Sequence, residues 1–166
     1  MIKCGIIGCG VIAPTHIEGY RSLPEVEVIH LCDLIPERAE KACAEYGAEG
    51  AKTYTDYHRL LEDKSIDVVY VLTPNRMHAQ VSIDALNAGK HCACTIPMGM
   101  SIDELYQVIE ARKKSGKHYM FMETSVYGRE FLYVKELYEK GELGKIQFMR
   151  CAHYQLSLIH ISEPTR

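Results

Sequence analysis

Apolar residues in this chain fall into short blocks, and the blocks alternate with stretches in which they recur at helical spacing. The segments 3–7, 26–32, 66–72, 91–95 and 119–122 are largely apolar, as suits strands buried on both faces of a parallel sheet. Between them the pattern predicts helices over 14–22, 37–46, 56–61, 75–88 and 102–115. Pro36 suits a first helical turn, and Gly47 and Gly89 suit helix ends. Asn75 is placed to cap the fourth helix, and Ser101 with Glu104 makes a capping box for the fifth. Tyr54 ends a short third strand. The resulting series, β-α-β-α-β-α-β-α-β-α-β, is that of an α/β fold with a doubly wound parallel Rossmann sheet. Such a sheet keeps its ligand crevice at the carboxyl ends of its strands. Beyond residue 122 the texture changes to a helix over 129–140, a Gly141–Gly144 turn and a strand over 145–153, the start of a second α/β domain. The expected division is therefore 1–122 and 123–155, with 156–166 set apart.

The first strand runs directly into Gly8-Cys9-Gly10-Val11-Ile12-Ala13. Gly8 permits a tight strand-to-helix turn, Gly10 lets backbone approach a pyrophosphate, and Ala13 lets the helix pack close to the strand. The helix-start N–H groups around Val11 and Ile12 then face the phosphates. The second strand ends in Asp33, twenty residues beyond Ala13, where a ribose-binding carboxylate belongs. Each feature has a plainer role, since glycines make turns and an Asp at a strand end caps helices. Their order along the chain favours a dinucleotide site. A carboxylate accepts from a free 2′-hydroxyl and repels a 2′-phosphate, so NAD is expected over NADP. Arg38 is the nearby cation that could reach the cofactor.

With 166 residues and a net charge of −3, the chain has room for one full domain and no basic surface for nucleic acid. No apolar stretch has membrane-spanning length, and residues 1–10 lack a signal-peptide pattern, so a cytoplasmic location is expected. The seven cysteines are scattered without CxxC spacing and read as reduced thiols rather than disulfides or metal ligands. No metal is expected, because His91 points away from the face that Cys92 and Cys94 would have to share with it. The final eleven residues, 156–166, lack fold logic and resemble a transposase-type sequencing adapter translated in frame, which makes them an expected artefact and the chain an expected truncation.

The glycine turn, Asp33, Pro36-Glu37-Arg38-Ala39, Thr73-Pro74-Asn75-Arg76-Met77-His78 and Gly89-Lys90-His91 together resemble the Gfo/Idh/MocA oxidoreductase family over residues 1–155. The resemblance implies an N-terminal NAD(P)-binding domain followed by a substrate and oligomerisation domain, hence a homo-oligomer when intact. It implies that Thr73, Pro74 and Asn75 lie beside the nicotinamide and its ribose. His78 then either faces the crevice, as a cofactor contact or catalytic group, or is an ordinary helix-start residue. The family's Glu-Lys-Pro at the end of strand five is here Thr95-Ile96-Pro97, so the lysine thought to touch ribose and substrate is absent. Thr95 can still hydrogen-bond, and Pro97 keeps its place beside the cofactor. Glu123-Thr124-Ser125-Val126-Tyr127-Gly128-Arg129-Glu130 resembles a minor group of the family. By that resemblance Glu123 lies near the nicotinamide, while Tyr127 either relays a proton or packs between domains. The usual acid and base of the family would fall beyond Gln155.

These readings imply an NAD-dependent oxidoreductase acting on a hydroxyl of a sugar or polyol, present as a fragment that binds cofactor without turnover. Two alternatives stand beside it. One is an NAD-binding regulator or scaffold without redox activity, and the other a glycosidase-like enzyme that uses tightly bound NAD transiently.

Overall fold

The computed structural model describes residues 1–150. Strands β1 (Ile2–Ile7), β2 (Val26–Cys32), β3 (Lys52–Tyr54), β4 (Val68–Val71), β5 (His91–Thr95) and β6 (Tyr119–Met122) form one sheet. Its order is β3-β2-β1-β4-β5-β6, and every pairing is parallel. This is the doubly wound Rossmann order, whose switch point lies between β1 and β4. Strand alternation sorts the apolar residues onto two faces. Ile6, Leu31, Leu72 and Ala93 pack with Ala13 and Ile17 of α1 (Ala13–Arg21) and Ala39 and Ala42 of α2 (Pro36–Tyr46). Ile7, Val69, Val71, Cys92 and Cys94 pack with residues of α3 (Tyr57–Leu61), α4 (His78–Asn87) and α5 (Ile102–Ser115). Each large aliphatic side chain fully buried this way contributes about 1.5–3 kcal/mol.

The helix ends show how far local chemistry directs the chain. At α5 the Ser101 hydroxyl accepts from the Glu104 N–H at 3.2 Å, half of the expected capping box. Glu104 reaches one residue further back and accepts from the Met100 N–H at 2.5 Å. Asn75 does not cap α4. It opens a 3₁₀ turn, Asn75–Met77, and α4 starts behind Met77 with no side-chain cap. Pro74 sets an extended backbone there (φ −59°, ψ 144°), so the chain makes a tight turn before the helix proper.

At the amino end of the sheet a polar knot is closed by long-range partners. The His30 Nε2 donates to Asp63 Oδ2 at 2.7 Å, and Asp63 Oδ1 accepts from Ser65 N–H and Oγ. Buried Lys90 donates from Nζ to the carbonyls of Asp63 (2.6 Å) and Ile66 (3.0 Å). Lys90 is therefore a structural cation, and burial lowers its affinity for a proton. The hydrogen bonds from His30 and Ser65 hold the Asp63 carboxyl well below the usual carboxylate range. Because the folded-state pKa is the lower one, the stabilisation is complete above the unfolded value and is lost as pH falls below about 4. We expect Asp63→Asn to lose about 1–3 kcal/mol at neutral pH. Urea melts should show that difference shrinking towards pH 2, and a pH-independent difference would rule out the ionised carboxylate as its source.

The chain divides into two compact units, Met1–Glu123 and Thr124–Arg166. The second opens with a 3₁₀ turn, Thr124–Tyr127, and carries α6 (Arg129–Glu139). The strand expected over 145–153 is not formed over 145–150, and its other residues lie outside those described, as does the segment 156–166. A strand exists by pairing its backbone groups, and among the described residues none pairs with this segment. No helix among the described residues is long and apolar enough to cross a membrane.

Candidate dinucleotide site

The carboxyl ends of β1, β2, β4 and β5 bring the expected site residues of the first unit to one edge of the sheet. Gly8 is there by necessity. Its φ is +99°, and a Cβ would come within 2.5 Å of the Leu72 carbonyl oxygen and 2.9 Å of the Thr73 nitrogen. Only glycine lets β1 turn so close to the end of β4. Gly10 is different, because a Cβ built there meets no atom within 4 Å. Nothing in the protein's own packing asks for glycine at this position. The empty space lies over the start of α1, where Ile12 occupies the N-cap without a capping side chain. Val11 and Ile12 are exposed beside it.

Asp33 is tied into this turn. Its Oδ2 accepts from the Cys9 N–H and its Oδ1 from the Ile35 N–H, both at 2.9 Å, while its own N–H donates to Tyr54 O at 3.1 Å. It is not the cap of α2, since Ile35 holds that position without a side-chain bond. Each carboxylate oxygen keeps a second lone-pair direction, so the group can brace the turn and accept a hydroxyl together. Cys9 is buried, its thiol pushed up to about 12 by burial and then by the Asp33 charge. It is a neutral packing residue. Arg38 lies exposed on α2, with no hydrogen bond into the turn among those described.

On the other side of the switch point Thr73 follows β4, and its buried Oγ1 has no partner among the described residues. Pro74 and Asn75 are exposed. Thr95 Oγ1 donates to Val71 O at 3.2 Å. A cis Ile96–Pro97 peptide follows, with Ile96 48% exposed. His78 does not face the crevice. It is 1% exposed, with Nδ1 2.6 Å from Pro97 O and Nε2 2.8 Å from Thr73 O. Both nitrogens are engaged by backbone, so the ring is closed to proton transfer with a substrate, and the catalytic expectation for it is withdrawn. Glu123 ends the first unit, its N–H on Phe121 O. Tyr127 is exposed in the second unit.

Residues 2–123 match the model of the Gfo/Idh/MocA group, described as an oxidoreductase family with an NAD-binding Rossmann fold. The chain belongs to this family. It is 35% identical over 162 residues to an inositol 2-dehydrogenase of Salmonella paratyphi B, covering 95% of this chain and 47% of that enzyme. It is 33% identical over 166 residues to a glycosyl hydrolase family 109 protein of Phocaeicola vulgatus, covering 96% and 34% respectively. The crystal structure of myo-inositol 2-dehydrogenase from Lactobacillus plantarum superposes with a TM-score of 0.80 at 26% identity, over 87% of this chain and 43% of that one. The chain thus spans about half the length of the curated dehydrogenase relative it matches.

The residues present suit a dinucleotide. Gly10 leaves a cradle that a Cβ would fill, α1 begins uncapped beneath it, and a carboxylate stands at the end of β2. Spacing in the sequence singled out Gly8, Gly10 and Asp33, which the structure gathers at the carboxyl ends of β1 and β2. It missed the bond from Cys9 to Asp33 and the two carbonyls that hold His78, because those partners are set by the sheet rather than by local pattern.

Proposed function

We propose that this chain binds NAD and, within a longer protein, serves a cytoplasmic oxidoreductase that acts on a hydroxyl-bearing carbon of a sugar or polyol. The observation that carries the cofactor reading is the space over Gly10, left open beside an uncapped helix start and braced from Asp33. Asp33 offers carboxylate oxygens to a ribose 2′-hydroxyl and opposes a 2′-phosphate, which supports NAD over NADP. The cofactor supplies the hydride chemistry; the chain's own residues bind and orient it. The inositol dehydrogenase relatives support a polyol substrate. Calorimetry of the full chain with NAD and NADP tests the reading directly. Selective NAD binding is the expected result, and a folded chain that binds neither overturns it.

A second reading is favoured by one position. Ile96 stands where the family's lysine is expected and cannot donate to a substrate or move its proton. Together with the glycosyl hydrolase relative, this supports an enzyme in which NAD is retained and returns to its starting state within each turnover. Incubating the full-length protein with a sugar or polyol panel separates the two. Net NADH release favours the dehydrogenase, and bond cleavage without it favours the glycosidase-like reaction.

A further inference from the structure

We infer that His78 is a positioning residue that fixes the separation of the β4 and β5 turns around the nicotinamide end of the dinucleotide site. The inference rests on the NAD reading above. Strands β4 and β5 are joined by their ladder only as far as Val71 and Cys94. The ladder ends at that register, and among the described residues no backbone hydrogen bond joins 72–73 to 96–97. The His78 ring fills this gap. It is buried to 1% exposure at the first position of α4, and its nitrogens lie 2.8 Å from the Thr73 carbonyl on one side and 2.6 Å from the Pro97 carbonyl on the other. Thr95 Oγ1, bonded to Val71 O at 3.2 Å, lies 3.4 Å from Nε2 and extends the same cross-link.

The placement is specific to one end of the site. Asp33 follows β2 and the Gly8–Gly10 turn follows β1, so ribose and pyrophosphate groups fall on the β2–β1 side. Thr73 and Pro97 follow β4 and β5, across the switch point, where the remaining half of a dinucleotide extends. The ring occupies the space between the two carbonyls and donates to them from an N–H, whereas an apolar side chain leaves these acceptors without that donor. The turns would then be free to relax apart, and the loss would fall on the nicotinamide half of the ligand while the adenosine half kept its contacts.

The test compares NAD with ADP-ribose, which lacks the nicotinamide, by calorimetry on the full 166-residue chain and on its His78→Ala and His78→Gln variants. We expect the ratio of NAD to ADP-ribose affinity to fall about tenfold in His78→Ala, the scale of one lost hydrogen bond. ADP-ribose binding itself should change less than about twofold. Free imidazole should restore part of the NAD affinity, and His78→Gln, which keeps an amide donor for one carbonyl, should fall between parent and His78→Ala. If His78→Ala does not fold, the ratio in His78→Gln decides alone. An unchanged ratio in the folded variants, with both ligands weakened alike or neither weakened, overturns the positioning role. A parent chain that binds neither ligand overturns the cofactor reading, an outcome distinct from a parent that binds both while the variants keep its ratio.

Discussion

Gly8→Ala should unfold or severely weaken the first unit, while Gly10→Ala should leave its stability nearly unchanged and weaken NAD binding. The contrast follows from what a methyl meets at each place. At position 8 it would stand 2.5 Å and 2.6 Å from the Leu72 carbonyl oxygen and carbon, on a residue with φ +99°. Those neighbours are backbone at the end of β4, which is held between β1 and β5, so no side-chain rotation relieves the clash. A strained left-handed backbone and forced displacement of a central strand together cost roughly 3–5 kcal/mol. That is a large share of the about 5–15 kcal/mol that holds an ordinary domain together. At position 10 the methyl enters open space, and the change in stability should stay within about 0.5 kcal/mol. The same methyl would occupy the place where pyrophosphate approaches the backbone, and NAD affinity should drop at least about tenfold. Urea denaturation and NAD titration of both variants check the pair. Undiminished binding by Gly10→Ala would remove the phosphate cradle from the site.

These two glycines also show what a sequence can and cannot tell about such a site. Their pattern, the apolar strand before them and the spacing to Asp33 are all local, so the six strands and their alternation with helices were legible in the chain. What glycine is needed for at each position was not, because Gly8 answers to Leu72 and Thr73, which the sheet alone brings beside it. His78 reads locally either as a ring facing the crevice or as an ordinary helix-start residue. One of its partners is the Pro97 carbonyl, nineteen positions along the chain, just beyond the neighbouring strand β5. Nothing in the Gly89-Lys90-His91 sequence marks Lys90 as buried, yet it is held on two carbonyls from the loop before β4. The segment 145–150 has the alternating apolar pattern of a strand but no neighbour among the described residues to pair with, and pairing is what makes a strand. In each case a long-range partner, present or missing, decided the outcome.

Asp33→Ala should cost NAD binding about 1–3 kcal/mol, the usual scale for losing a hydrogen bond to a charged group, and should erase most of the preference for NAD over NADP. Three losses add in this variant, one of them the Ile35 N–H losing its acceptor. The ribose hydroxyl loses its acceptor, and the Cys9 N–H loses the carboxylate oxygen that holds it at 2.9 Å, which loosens the turn under the pyrophosphate. Asp33→Asn separates them. A carboxamide oxygen can still accept from the Cys9 N–H, so that half of the brace survives while the Ile35 N–H loses its acceptor, and the negative charge that opposes a 2′-phosphate is gone. NAD affinity should therefore fall less in Asp33→Asn than in Asp33→Ala, whereas NADP affinity should rise in Asp33→Asn relative to the parent. Parallel titrations of the three proteins with both dinucleotides read out all four changes. If the two variants lose NAD affinity equally, the brace contributes nothing to binding. If NADP affinity does not respond to removal of the charge, Asp33 does not face the ribose 2′-position, and the basis for preferring NAD falls with it.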